Sequence, residues 1–133
     1  MEEALRALLL ANTALAALVG RRIDWLERPQ GKALPAITLQ VISAPRRYTF
    51  KGRAPTVTRL VQIDIWGSTY ATMKAASRAA VTALDEFTTA GFHGVFIEGE
   101  RETSERRDGP DAAKSTSIFR TSLDVRAVFT DAA

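Results

Sequence analysis

The chain is 133 residues long, a length that a single hydrophobic core can serve. Hydrophobic residues make up 46% of it and charged residues 25%, which excludes a disordered chain; 18 basic against 15 acidic residues leave a net charge of only +3, which does not mark a dedicated nucleic-acid binder. The absence of cysteine excludes disulfides, zinc–thiolate sites and thiol nucleophiles, and suits a reducing cytoplasm.

The stretch Ala4 to Val19 is nearly all apolar, but the chain opens Met1-Glu2-Glu3 where a secretory signal would carry positive charge. Arg6 and Asn12 interrupt a run already shorter than the roughly 20 apolar residues of a membrane span. The expectation is a helix packed on the core of a soluble, unprocessed protein. Glu2 and Glu3 sit where the first helical turn favours negative charge, and Leu5, Leu8, Leu9, Leu15 and Leu18 recur at helical spacing. Asn12-Thr13 offers a cap for a second short helix, and Gly20 ends it, so one broken helix is predicted.

Arg22 to Leu26 reads as a short strand leading into a Pro29-Gln30-Gly31 turn. In Ala36 to Ile42, Ile37, Leu39 and Val41 alternate with Thr38 and Gln40, the period of a sheet with one covered face, and Ala44-Pro45 stops the strand. A basic, turn-rich connection over residues 46–56 follows. The next strand, Val57 to Trp66, directs Arg59, Val61, Ile63 and Ile65 one way and Leu60, Gln62, Asp64 and Trp66 the other. Together these segments predict a long β-hairpin with an extended tip.

Gly67-Ser68-Thr69 breaks the strand and supplies a hydroxyl cap, after which Tyr70, Met73, Ser77, Ala80, Val81, Leu84 and Phe87 predict a long helix ending near Gly91. Val95 to Arg101 and Ser117 to Phe129 are two further predicted strands, separated by a charged loop over residues 102–116 that contains Asp108-Gly109-Pro110. The element order gives a single domain over residues 1–133 of the α+β class. It is a two-layer sandwich in which two helices pack on one face of a mostly antiparallel sheet.

No set of residues with catalytic spacing emerges. His93, the one histidine, stands in Gly91-Phe92-His93-Gly94 and reads as an ordinary turn residue; no G-x-S-x-G elbow, H-E-x-x-H pair or glycine-rich phosphate loop is present. Glu98, Glu100 and Glu102 share one predicted strand face. They suggest either a hard-metal site or, nine times more strongly, an acidic solvated face opposite Arg120 and Arg126, where each opposed pair contributes roughly 0.2–1 kcal/mol. No catalytic, cofactor or metal residue is therefore assigned. The most suggestive cluster is Arg46, Arg47, Tyr48, Phe50, Lys51 and Arg53, in which basic and aromatic residues interleave. It fits a solvated hairpin, a nucleic-acid contact or a protein–protein contact, and a protein partner is favoured over nucleic acid.

The chain as a whole resembles a known family. Met1-Glu2-Glu3-Ala4-Leu5-Arg6-Ala7-Leu8-Leu9 and Leu15-Ala16-Ala17-Leu18-Val19-Gly20-Arg21-Arg22-Ile23 are similar to the opening of the tail completion proteins of long-tailed phages. Leu34-Pro35-Ala36-Ile37, then Val61-Gln62-Ile63-Asp64-Ile65-Trp66-Gly67 before a helix near Tyr70, and a long closing strand continue the likeness over nearly the whole chain. The alanine- and arginine-rich composition suits a high-GC bacterial host, and with it a prophage or gene-transfer agent.

The resemblance implies a tail terminator: a homo-oligomeric ring, commonly a hexamer, that caps the tail tube at its head-proximal end and offers a docking surface to the head's connector or stopper protein. The implied partners are copies of itself, the tail tube protein and the connector, with DNA passing through the lumen without sequence-specific binding and no membrane involved. Its implied place is the tail of a particle assembled in the bacterial cytoplasm. The family transfers no catalytic residue, cofactor or fixed contact motif. Placed on this chain, the hairpin Arg46 to Arg53 becomes a candidate for docking to the tube or connector. Glu98, Glu100, Glu102, Arg120 and Arg126 become candidates for contact between subunits. Other readings are a stopper or adaptor of the same assembly, a small nucleic-acid-binding module using the basic hairpin, and, last, a hydrolase using Asp64, Asp85, Glu98 and Glu100.

Overall fold

Residues 2–27, 34–46, 48–53, 56–85, 92–107 and 116–130 are described by the structure, a computed structural model. Helix α1 (Glu2–Ala11) and helix α2 (Thr13–Val19) are the two halves of the broken helix. Asn12 makes the break: its backbone is extended, at φ −76° and ψ 119°, and its side chain accepts the N–H of Leu15 at 2.9 Å. An unpaired helix N–H is thereby satisfied, as a cap must do. Gly20, at φ +60°, closes α2 with its N–H donating to the Ala16 carbonyl at 2.9 Å. Arg22 then reaches back, donating to the carbonyls of Leu18 at 3.1 Å and Pro35 at 2.9 Å, which ties the end of α2 to the start of a strand.

Strands β1 (Ile23–Trp25), β2 (Ala36–Ser43), β5 (Thr56–Gly67), β7 (Thr116–Thr130) and β6 (Phe92–Arg107) form one five-stranded sheet in the order β1-β2-β5-β7-β6. β1 runs parallel to β2 and every other neighbour pair is antiparallel. On the connection from β2 to β5, strands β3 (Tyr48–Thr49) and β4 (Gly52–Arg53) make a separate small hairpin. Helix α3 (Tyr70–Asp85) begins where predicted, capped by the Thr69 hydroxyl, which accepts the Thr72 N–H at 3.1 Å. The predicted continuation of this helix to Gly91, with Phe87, lies outside the described residues, as does the turn at Pro29-Gln30-Gly31.

The register brings Ile37 opposite Ile65, Leu39 opposite Ile63, Ile63 opposite Leu123 and Val61 opposite Val125. All of these are fully buried on one face of the sheet, in a single core with Leu5, Leu9, Leu15, Ala76, Ala80 and Leu84 of the helices. The α+β two-layer architecture follows directly: the alternating strands have one apolar face, and the helices have one apolar stripe to cover it. Gly67 marks the closest approach of the layers, since a Cβ there would lie 2.7 Å from the Met73 Cβ.

Two expectations are corrected. The segment Glu102 to Arg107, read as part of a loop, is strand, paired from Glu102–Thr121 to Arg107–Thr116. Its polar composition reflects the rim of an edge strand, where charge is tolerated and even favoured, rather than a lack of pairing. His93, read as a turn residue, stands in strand β6 itself, beside a register irregularity between Phe92 and Gly94, and its Nε2 hydrogen-bonds the Thr130 hydroxyl across the pair.

Candidate interaction surfaces

The three predicted glutamates do not share a face. A register shift between Ile97 and Gly99 inserts one extra residue into β6, and a bulge of this kind reverses the in–out alternation downstream of it. Glu98 therefore stands on the open face, where Arg126 Nε donates to it at 2.6 Å. Glu100 and Glu102 stand on the helix side, where Lys74 of α3 lies 3.7 Å from the first and 2.7 Å from the second. The Tyr70 hydroxyl donates to Glu102 at 3.0 Å. Hydrogen bonds from Lys74 first and Tyr70 second hold the Glu102 carboxyl below the usual carboxylate range, and the bond to Glu102 raises Lys74. Arg120 has other partners: its guanidinium lies 5.0 Å over the Trp66 ring and its Nε donates to the Thr103 hydroxyl at 3.2 Å.

The open face is a knit polar surface. Asp64, 8% exposed, accepts from the Ser122 hydroxyl at 2.6 Å and from the Gln62 amide at 3.0 Å; Trp66 Nε1 donates to the Thr38 hydroxyl at 3.1 Å. Arg101 is paired with Asp124, which raises the arginine further, and Arg126 lies 4.9 Å over the exposed Phe96 ring. The carboxylates that a hydrolase would need do not converge. Asp64 and Glu98 are committed to partners on the open face, Glu100 faces Lys74, and Asp85 ends α3. Among the described residues no group of three His, Asp or Glu side chains could hold a metal ion.

The basic hairpin folds as a knob. Gly52, at φ +117°, supplies the backbone that the tight β3–β4 turn requires. Phe50 at the tip is fully exposed, Tyr48 is 69% exposed, and Arg46 and Lys51 are exposed beside them. Arg47 lies outside the described residues, and Arg53 is the last residue of β4.

Sequence reasoning missed a cavity of about 230 Å³ at the other end of the sheet, between α3 and the β6–β7 pair. Its floor is Met73, Tyr70 and Phe119, the two rings meeting edge to face at 6.2 Å, and Glu102, Thr103 and Ser104 form its rim. Tyr70 had the spacing of a core helix residue, but it is half exposed in this recess. No local pattern signals the cavity, because only the fold brings Tyr70 to Glu102, 32 residues away. A second cavity, about 380 Å³, lies between α1 and β1, lined by Glu2, Glu3, Arg6, Leu10, Arg21 and Trp25, whose indole N–H has no hydrogen-bond partner among the described residues.

These features define a small α+β fold whose distinctive parts are a protruding knob, a charged edge and shallow recesses. The chain belongs to the family Tail completion protein gp17, which residues 3–130 match. It is thus a structural protein of a phage or phage-like tail. Its fold is similar to that of a chain in the solved structure "Virion of native gene transfer agent (GTA) particle", with a TM-score of 0.70 and 23% identity over 98% of this chain and 95% of that one. No curated protein sequence matches it. Among the described residues no helix is long and apolar enough to cross a membrane.

Proposed function

We propose that the protein is a tail terminator: copies close into a hexameric ring on the head-proximal end of the tail tube, halt its growth and present the surface on which the head's connector or stopper docks. Assembly takes place in the bacterial cytoplasm, and DNA later passes through the lumen without being read. One observation carries the reading beyond family membership. The subunit has unlike features at opposite ends of one sheet, a basic aromatic knob at one and an acidic-rimmed recess at the other. Unlike surfaces on one subunit generate heterologous contacts, which close into rings when the rotation between copies allows. Glu98, Arg120 and Arg126 on the open face and Glu100 and Glu102 beside α3 belong to the flanks between subunits. The hairpin with Arg46, Arg47, Tyr48, Phe50, Lys51 and Arg53 is the element that reaches a partner molecule.

The test is removal of the protein from the producing cell. Tails of uncontrolled length and heads left unjoined are expected, both restored by supplying the intact chain. Particles that form whole and joined in its absence would overturn the reading. Replacing Arg46, Arg47 and Arg53 together by alanine is expected to lower the yield of joined particles while the purified subunit keeps its fold. Salt-sensitive DNA binding by the isolated subunit, read in a gel shift, would instead favour the nucleic-acid module.

A further inference from the structure

We infer that the β3–β4 hairpin of one copy seats its Phe50 in the recess between Tyr70, Met73 and Phe119 of the next copy. This rests on the ring reading and names the contact that would close it.

The two parts cannot meet within one subunit. The hairpin joins the sheet at Thr56, the start of β5, and the recess lies level with Ile65 to Gly67, the end of β5. At about 3.3 Å per residue those ends are roughly 35 Å apart. Phe50 is six residues from Thr56 and so can reach back at most about 21 Å. A knob and a hole that cannot satisfy each other internally are available only to other molecules.

The chemistry of the two parts matches. A fully exposed phenylalanine next to a largely exposed tyrosine leaves apolar area in water, which is unfavourable unless a partner covers it. The recess offers a buried methionine and two aromatic rings already placed edge to face, an arrangement that a third ring can extend. At about 230 Å³ it is smaller than the roughly 300–1,000 Å³ of small-molecule sites, and it suits one side chain better than a ligand. Charge agrees as well. The cluster of Glu100 and Glu102 around Lys74 carries one more negative than positive group, and the sequence surrounds Phe50 with Arg46, Arg47, Lys51 and Arg53. An aromatic anchor in a pocket with a charged rim is the usual build of an interface hot spot.

The chain contains no cysteine, so a disulfide between introduced cysteines has no competitor within this chain. Phe50→Cys and Ser104→Cys, combined in one chain and oxidised in assembled particles, are expected to give a ladder of covalent oligomers that ends at the ring's copy number. The two single variants co-expressed are expected to give a dimer, and either alone none. Phe50→Ser, on a fully exposed side chain, is expected to reduce ring assembly by about tenfold or more without altering the fold, and Phe50→Leu to retain most of it. Rings visible by electron microscopy in which the 50–104 pair stays uncrosslinked would overturn this contact while leaving the ring intact as a conclusion. So would crosslinks of position 50 to itself, to the tube protein or to the connector. Particles with no ring of this protein would overturn the functional reading itself, whatever the gel shows.

Discussion

On the face that meets the helices, strands β2, β5 and β7 present Ile37, Leu39, Val61, Ile63, Leu123 and Val125, all fully buried and apolar. On the opposite face the same three strands present Thr38, Gln62, Asp64, Trp66, Ser122 and Asp124, joined to one another and to arginines by hydrogen bonds, an ion pair and a ring contact. The covered face fixes the register, because a slip of one residue would turn every apolar side chain into water. The open face is held by directed contacts of its own. In the proposed ring, contact with other proteins falls on the ends and edge of the sheet, where the knob, the recess and the charged rim of β6 stand, and on the Glu98, Arg120 and Arg126 side of the open face.

The largest effect that could break this comparison lies on the covered face. Ile63→Ala removes a fully buried side chain from the middle of the core and is expected to cost about 2–5 kcal/mol in denaturant unfolding. A loss near zero would mean the helices do not cover this face. Gly67→Ala is next: its Cβ would meet Met73 at 2.7 Å, and the forced shift is expected to cost about 1–3 kcal/mol. On the open face Asp64→Ala strands the Ser122 hydroxyl and the Gln62 amide and is expected to cost about 1–3 kcal/mol. Asp64→Asn, which keeps an acceptor for Ser122, should cost less.

Arg126→Ala should cost at most about 1 kcal/mol, because its ion pair with Glu98 and its stacking on Phe96 are half exposed to solvent. The smallest effect is electrostatic. The Glu102 carboxyl, lowered by Lys74 and Tyr70, lends stability at pH above its unfolded value of about 4.3, and that contribution disappears as pH falls through the lower folded value. An NMR titration should place its midpoint below that of an exposed glutamate, and Lys74→Met should bring it back up.

Much of the covered face was legible in the sequence because burial writes itself as periodicity. Ile37, Leu39 and Val41, then Val61, Ile63 and Ile65, alternate as a half-buried strand must, and Asn12, Gly20 and Thr69 act as the caps their side chains or backbone freedom suggest. The length of β6 was hidden because Glu102 to Arg107 are held by pairing to β7, a long-range property that leaves no local apolar pattern. The division of Glu98 from Glu100 and Glu102 was hidden for a related reason: the bulge exists only in the register between two strands. The hairpin was legible as a turn with arginines and aromatics, but not as one half of a complementary pair, since Tyr70, Met73, Glu102 and Phe119 come together only in the folded sheet.

The two edges of the sheet extend the same lesson. β1 is three residues long, and its outward carbonyls are already taken: Arg6 Nε donates to the Ile23 carbonyl at 2.6 Å and the Glu27 N–H donates to the Trp25 carbonyl at 2.7 Å. β6 is sixteen residues long, and its rim carries charged side chains, which discourage indiscriminate strand pairing while leaving room for a specific neighbour. The two edges of the sheet thus differ, in keeping with the head-to-tail association proposed above.

Electron cryomicroscopy of intact particles, with the density of this protein located and averaged, tests the central claim most directly. The account predicts a closed ring of copies at the head-proximal end of the tail tube, each subunit meeting the next through unlike surfaces. Copies found elsewhere in the particle, or joined there by like surfaces as separate pairs, would contradict it.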